Sequence, residues 1–281
     1  MDAVKRALWY IEAHSADPLT LAEVAEASGL SRFHLARVFP AVTGHSVFGY
    51  LRGRRLTEAA RVLADGAPDI LSVALDAGYN SHEAFTRAFR DALGLTPEEV
   101  RARRGLDNLS LVEPMRMSDL PVVNLAKPSF RDVDAMLIAG IRQYHRYTEL
   151  GGIPAQWQRV NMHIGHIPGE IGGAAYGVCT AAAPGDRDGF DYIAGVAARS
   201  LDELPEELSG LRVPARRYAV FEHTEHVSTI GSTCAAIFGD WLPNSGLKMA
   251  EGPLMMIECY GQRFDPQSGE GGLEIWLPLR G

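Results

Sequence analysis

Cysteine is scarce in this 281-residue chain: Cys179, Cys234 and Cys259 are an odd number with no C-x-x-C pair. That excludes a disulfide framework and a cysteine-rich zinc site. It points to a reducing compartment, with each thiol a small apolar filler. Long apolar runs are also missing, so no segment approaches the length needed to cross a bilayer, and no membrane partner is expected. The opening Met1–Leu8 has the pattern of an amphipathic helix rather than a signal sequence, which makes the cytoplasm the expected location. The Walker loop, the G-x-S-x-G turn and the G-x-G-x-x-G string are absent, which argues against nucleotide-driven or nucleotide-cofactor chemistry. No cofactor is expected. His163-x-x-His166 and His223-x-x-His226 have ligand-like spacing, but neither sits in an H-E-x-x-H arrangement and no third ligand accompanies it, so no metal is expected.

Positive charge is in deficit overall, at a net −8, which argues at first against a nucleic-acid partner. Its distribution changes that. Residues 1–105 hold thirteen basic and thirteen acidic side chains, so residues 106–281, with fourteen against twenty-two, carry the whole deficit. A neutral region can bind DNA if its arginines cluster on one face.

What is present is a repeat. Ser31-Arg32-Phe33-His34-Leu35-Ala36-Arg37-Val38-Phe39 returns as Ser81-His82-Glu83-Ala84-Phe85-Thr86-Arg87-Ala88-Phe89, both reading Ser-x5-Arg-x-Phe. Ahead of each lies a helix-forming run with Ala four residues before Gly, Ala25 to Gly29 and Ala74 to Gly78. The pattern predicts two helix-turn-helix units, with Gly at the turn and Ser31 and Ser81 as N-caps. Leu35, Val38, Phe39 and Val42, like Phe85, Ala88, Phe89 and Leu93, recur at helical spacing as the core face. That leaves Arg32, Phe33, Ala36 and Arg37, with His82, Glu83, Thr86 and Arg87, largely off it. An outward face with Arg near its N-terminus suits a major groove, where Arg bonds guanine O6 and N7. A plain helical bundle with solvated arginines is the alternative, which tandem repetition makes hard to sustain.

Thr20, with Glu23 three residues on, predicts a capping box, and Pro40 is expected to interrupt the helix just after Phe39. Ser46–Ala64 reads as one long helix of about 28 Å, a spacer that could set two reading helices near one DNA turn apart, about 34 Å.

Residues 1–104 resemble the AraC/XylS family of transcription regulators. The paired units carry the resemblance, together with Arg52-x-x-Arg55-Leu56, Gly78-Tyr79-x-Ser81-x3-Phe85-x-Arg87-x-Phe89 and Gly94-Leu95-Thr96-Pro97. It implies base-facing roles for Phe33, Arg37, His82, Glu83, Thr86 and Arg87, double-stranded promoter DNA as partner, and RNA polymerase as a further one. Val100 and Pro40 depart from the family pattern.

Residues 1–105 therefore form the expected all-α DNA-binding domain, and 106–130, with Pro114, Pro121 and Pro128, a linker with one short strand. Beyond it the pattern repeats again: strand 135–144, helix 154–166, strands 174–179 and 190–197, then strand 217–223, helix 228–241, strands 254–262 and 273–279. Two β-α-β-β units predict an α+β domain over 131–281, whose pseudo-symmetric seam is a natural ligand cleft. Within 255–260, alternation puts Met256, Glu258 and Tyr260 on one face. Glu258 either faces water, pairs with an arginine such as Arg263, or lies at the floor of an aromatic cleft suited to a cationic or hydrogen-bond-donating guest. Trp157, Tyr176, Tyr192, Phe221 and Trp276 are the candidate walls.

Residues 131–281 resemble the GyrI-like small-molecule-binding family through 213–221, 237–246, Glu258-Cys259-Tyr260 and Glu274-Ile275-Trp276-Leu277-Pro278. The resemblance implies a ligand-cleft role for Glu258, and the domain order is similar to that of the right-origin-binding protein group. The expected function is a non-enzymatic transcription regulator responding to a cationic or amphipathic effector. A hydrolase of reactive electrophiles using Glu258 as base, or a partner-binding module, are the alternatives.

Overall fold

The computed structural model describes residues 3–115, 125–148, 150–183, 185, 186 and 188–281. The start of the expected first helix at Met1 and Asp2, and 116–124 of the expected linker, lie outside the described residues. The chain divides into two compact units, Met1–Leu35 with Val42–Pro121, and Ala36–Ala41 with Val122–Gly281. Among the described residues, no helix is long and apolar enough to cross a membrane.

Among the described residues, seven helices run in order through the first part of the chain: α1 (Ala3–Ala13), α2 (Leu21–Ser28), α3 (Arg32–Thr43), α4 (Val47–Ala64), α5 (Ile70–Asp76), α6 (His82–Leu93) and α7 (Pro97–Arg103). Their ends follow from local chemistry. Thr20 and Glu23 form the reciprocal box that starts α2, the Thr20 amide donating to the Glu23 carboxylate at 2.7 Å. The Ser31 and Ser81 hydroxyls accept the amides of His34 and Ala84, each at 3.2 Å. Gly78 carries the turn before α6 at φ 84°, a conformation that favours glycine, and the Arg55 guanidinium lies where a Cβ would stand.

Pro40 does not end α3, which continues to Thr43. Proline there removes one backbone donor, but Leu35, Val38 and Phe39 are fully buried and their packing outweighs that loss. The long helix begins at Val47 on a Ser46 cap, and its 18 residues span about 27 Å. Leu56, Ala60, Leu63, Ile70, Ala74, Phe85, Phe89 and Val100 form the core around it.

The first residues of the expected linker are not free. Leu106, Leu109 and Leu111 pack on that core, and the residues after them are tied to α4. The Val112 amide donates to Thr57 Oγ1 at 2.9 Å, Arg54 donates to the Val112 carbonyl at 3.0 Å, and the Met115 amide donates to the Tyr50 hydroxyl at 3.1 Å.

The later part of the chain contains β1 (Ser129–Val133), β2 (Met136–Arg146), α8 (Ile153–Asn161), β3 (Glu170–Ala181), β4 (Gly189–Ala198), β5 (Ser209–Val213), β6 (Arg216–His223), α9 (Ile230–Ala236), β7 (Leu254–Tyr260) and β8 (Leu273–Pro278). The strands form one eight-stranded sheet in the order β1-β6-β8-β7-β3-β4-β2-β5, every pairing antiparallel. β5 escaped sequence reading because five residues with a glycine give too little alternation. The expected 228–241 helix is three pieces, a 3-10 turn at Val227–Thr229, α9, and a π turn at Ile237–Trp241.

Gly53 lies within α4, where a Cβ would meet Val112 Cγ2 at 2.5 Å. Gly53→Ala is therefore expected to destabilise the chain despite its better helix propensity. In a Val112→Gly background, which also removes the Val112 Cβ that would stand 3.0 Å away, the same change should stabilise by about 1 kcal/mol. Urea unfolding of the four proteins in this cycle measures the change of sign.

Candidate functional site

On α6, the first two turns carry the expected reading residues. His82 Nε2 lies 3.0 Å from Glu98 Oε1, while Glu83 and Arg87 are exposed. Thr86 differs from that picture, because its hydroxyl is buried with no hydrogen-bond partner. Arg87 borders a groove of about 710 Å³ that Arg52, Arg55 and Tyr79 also line. Tyr79 has its hydroxyl raised in pKa by burial, partly opposed by Arg52 and Arg55.

The corresponding face of α3 is not exposed as its sequence suggests. Arg32 is half-buried, Phe33 is 2% and Ala36 4% exposed, and the Arg37 side chain is 10% exposed. Phe33 packs edge-on against His34 at 5.1 Å. For Arg37 the cause is electrostatic: within the unit that holds Ala36–Ala41, its Nη2 donates to Glu258 Oε1. Burial opposes the charged guanidinium, but the Glu258 carboxylate holds it charged, with a pKa well above the ordinary value.

Glu258 is 1% exposed in β7. Its second oxygen, Oε2, accepts the Tyr192 hydroxyl at 2.7 Å and the Tyr260 hydroxyl at 2.8 Å. Trp157 Nε1 in turn donates to the Tyr192 oxygen at 2.9 Å, and the Trp157 ring meets that of Tyr260 edge-on at 4.8 Å. Trp157 is brought there by its neighbour Gln156, whose amide donates to the carbonyls of Ile141 and Tyr192 and whose oxygen is 2.7 Å from His145 Nε2. On the other helix, Thr233 is fixed to His223 Nδ1 at 2.8 Å, and Cys234 lies against Arg37. A carboxylate, two phenols, an indole and a guanidinium thus form one connected polar cluster in a dry site.

Residues 126–280 match the GyrI-like small molecule binding domain. The chain belongs to the GyrI-like family. Residues 24–103 match a helix-turn-helix domain. The Right origin-binding protein of Escherichia coli K12 is 24% identical over 99% of this chain and 98% of its own. The multiple antibiotic resistance protein MarA of the same organism is 38% identical over 33% of this chain and 72% of its own. Among solved structures, SAV2435 bound to tetraphenylphosphonium covers 56% of this chain and 95% of its own at 16% identity and a TM-score of 0.47.

Within the GyrI-like domain, register decides which aromatics share the face of Glu258. Gly177 and Ile275 stand directly opposite Glu258, and Phe221 opposite Ile275, so all point the same way. Phe221, however, packs on Trp241 at 4.8 Å. Tyr176 opposes Cys259 and Trp276 opposes Ile257, which puts both on the reverse face, 6.1 Å from one another. Met256 is fully buried on Glu258's face. Of the expected walls, the structure brings Trp157 and Tyr192 to the Glu258 cluster and separates Tyr176, Trp276 and Phe221, while Tyr260 and Met256 share the face of Glu258 on its own strand. The partner of Glu258 is Arg37 rather than Arg263.

Two residues of the site were missed from sequence. Arg37 was assigned outward, and Gly177 was not singled out. A Cβ on Gly177 would collide with the Tyr192 hydroxyl and come within 2.8 Å of Glu258 Oε2. The available signal was a glycine inside a strand, which marks a close approach of another group. Among the described residues no group of His, Cys, Asp and Glu is arranged to hold a metal ion. His223 and His226 are engaged with Thr233 and Ser228 instead.

Burial first, and the Glu258 charge second, raise the pKa of Tyr192 and Tyr260 well above the ordinary value. The folded chain therefore holds protons that the unfolded chain releases near pH ~10, so this stability is complete below that pH and falls as pH rises beyond it. Tyr192→Phe should cost about 1–3 kcal/mol at neutral pH and flatten the alkaline loss. Urea melts between neutral and strongly alkaline pH measure both effects.

Proposed function

We propose that this chain is a sequence-specific DNA-binding transcription regulator whose GyrI-like domain binds a cationic small-molecule effector at Glu258. The observation that carries the effector assignment is a carboxylate 1% exposed that already holds a guanidinium. A site that stabilises one organic cation through charge, with Trp157 and Tyr260 beside it, has the chemistry to hold another. The strand order β6-β8-β7 against β3-β4-β2 supports reading the domain as two duplicated halves, with Glu258 and Gly177 on the two strands that meet at the seam.

The DNA assignment draws on the helix-turn-helix match and on α6, with His82, Glu83 and Arg87 as base-facing residues and Arg87 exposed beside Arg52 and Arg55. On α3, where Phe33 and Ala36 are buried and Arg37 is held by Glu258, Arg32, Phe33, Ala36 and Arg37 become a second reading surface only once Arg37 is released. The regulators MarA and Right origin-binding protein are relatives consistent with this role. Promoter action further implies contact with RNA polymerase. The hydrolase alternative is disfavoured by geometry: a general base has to meet a water, and Glu258 is 1% exposed with its oxygens facing Arg37, Tyr192 and Tyr260 rather than solvent.

Two measurements test the proposal. Arg87→Ala should weaken binding to a duplex selected from a random pool by about 1–3 kcal/mol and relax base preference over one half of the site. Glu258→Gln should lower affinity for phenylguanidinium, an aromatic analogue of the Arg37 head group, by more than about ten-fold, near 1.4 kcal/mol. Unchanged binding in the first case removes α6 from base reading; in the second it removes Glu258 from the effector site.

A further inference from the structure

Arg37 is an imperfect occupant of its seat. Nη2 bonds Glu258, but Nε is buried without a hydrogen-bond partner. An arginine that uses its fork fully makes two parallel bonds to a carboxylate, and a buried donor left unsatisfied opposes the burial. The seat also depends on space left by another residue. Gly231, in the first turn of α9, faces the Ala36–Ala41 segment so closely that a Cβ would lie 2.6 Å from Ala41 Cβ and 3.4 Å from the Arg37 carbonyl. Its backbone is ordinary helix, so the missing side chain provides room for the segment rather than conformational freedom.

Arg37 is at the same time the α3 residue assigned to base reading. A single guanidinium cannot bond Glu258 and a guanine together. We propose that Arg37 is the resident ligand of the Glu258 site, which a cationic effector and Arg37 occupy in alternation, so that the occupant of Glu258 decides whether Arg37 is free to contact DNA. This rests on the reading of Glu258 as the effector site. The effector must do more than bind: it has to favour the arrangement with Arg37 released, and through linkage DNA then tightens the effector by the same factor. If Arg37 fills the site more than nine-tenths of the time, the apparent effector affinity is reduced at least ten-fold.

The test is phenylguanidinium binding to the full chain, by calorimetry, in the parent, Arg37→Ala, Gly231→Ala and Glu258→Gln. Gly231→Ala keeps both partners of the ion pair and removes only the room for Ala41, so the result does not depend on Arg37→Ala folding well. Circular dichroism accompanies each variant. Arg37→Ala and Gly231→Ala are expected to bind at least about ten-fold tighter than the parent, and Glu258→Gln not measurably. Equal affinity in the parent, Arg37→Ala and Gly231→Ala, with Glu258→Gln silent, overturns the alternation and leaves the effector site standing. Absence of binding in every protein removes the effector site and the alternation together. With a duplex selected from a random pool, phenylguanidinium should raise the parent's DNA affinity about ten-fold, while Gly231→Ala binds tightly without it. DNA affinity independent of both changes overturns the alternation.

Discussion

The structure turns on a carboxylate taken out of water. Glu258, nearly inaccessible in the middle of a strand, carries a charge that hydrocarbon cannot solvate, so its oxygens have to meet donors or a cation. Tyr192 and Tyr260 are the donors, Arg37 is the cation, and Gly177 is the absence that lets a phenol reach the oxygen. None of the four can be understood apart from that charge. Burial is the first cause of the high tyrosine pKa values, and the same charge adds to it, since a phenolate beside the carboxylate would place two negative charges in one buried site.

The scaffold keeps that cluster in register by buried polar ties rather than by apolar packing alone. Gln156 fixes α8 to the carbonyls of two strands, and His223 fixes Thr233 of α9. Each tie satisfies groups that would be costly to bury unpaired, and each leaves one helix residue, Trp157 or Cys234, against the cluster. Burial raises the pKa of Cys179 and Cys234, Glu258 adding to it and Arg37 opposing it, so both remain thiols that fill space.

An ion pair of this kind is also a poor permanent lock. Desolvation of both charges offsets much of their attraction, so a buried pair whose cation is replaceable can have two nearly balanced states where a hydrocarbon contact would have one. Arg37 sits in a buried pair with its Nε unsatisfied, while α6 keeps Arg87 exposed. The two copies of Ser-x5-Arg-x-Phe have therefore diverged in use although their sequences run parallel: the same arginine position is committed inside the chain in one copy and open in the other.

What the sequence determined by itself was whatever depends on neighbours along the chain. Thr20 with Glu23, Ser81 before α6, and glycine at 29 and 78 announce helix ends because capping and positive φ are local properties. Alternation through 255–260 put Met256, Glu258 and Tyr260 on one face for the same reason. Register between strands is not local, and it separated Tyr176 and Trp276 from Glu258 although both are strand aromatics like Tyr192. The tie of Val112 to Thr57, and the pairing of Glu258 with a residue 221 positions away, lay beyond any pattern, since nothing in either stretch records which distant group will neutralise it. Only tertiary structure decides that, because a buried charge selects its partner in space.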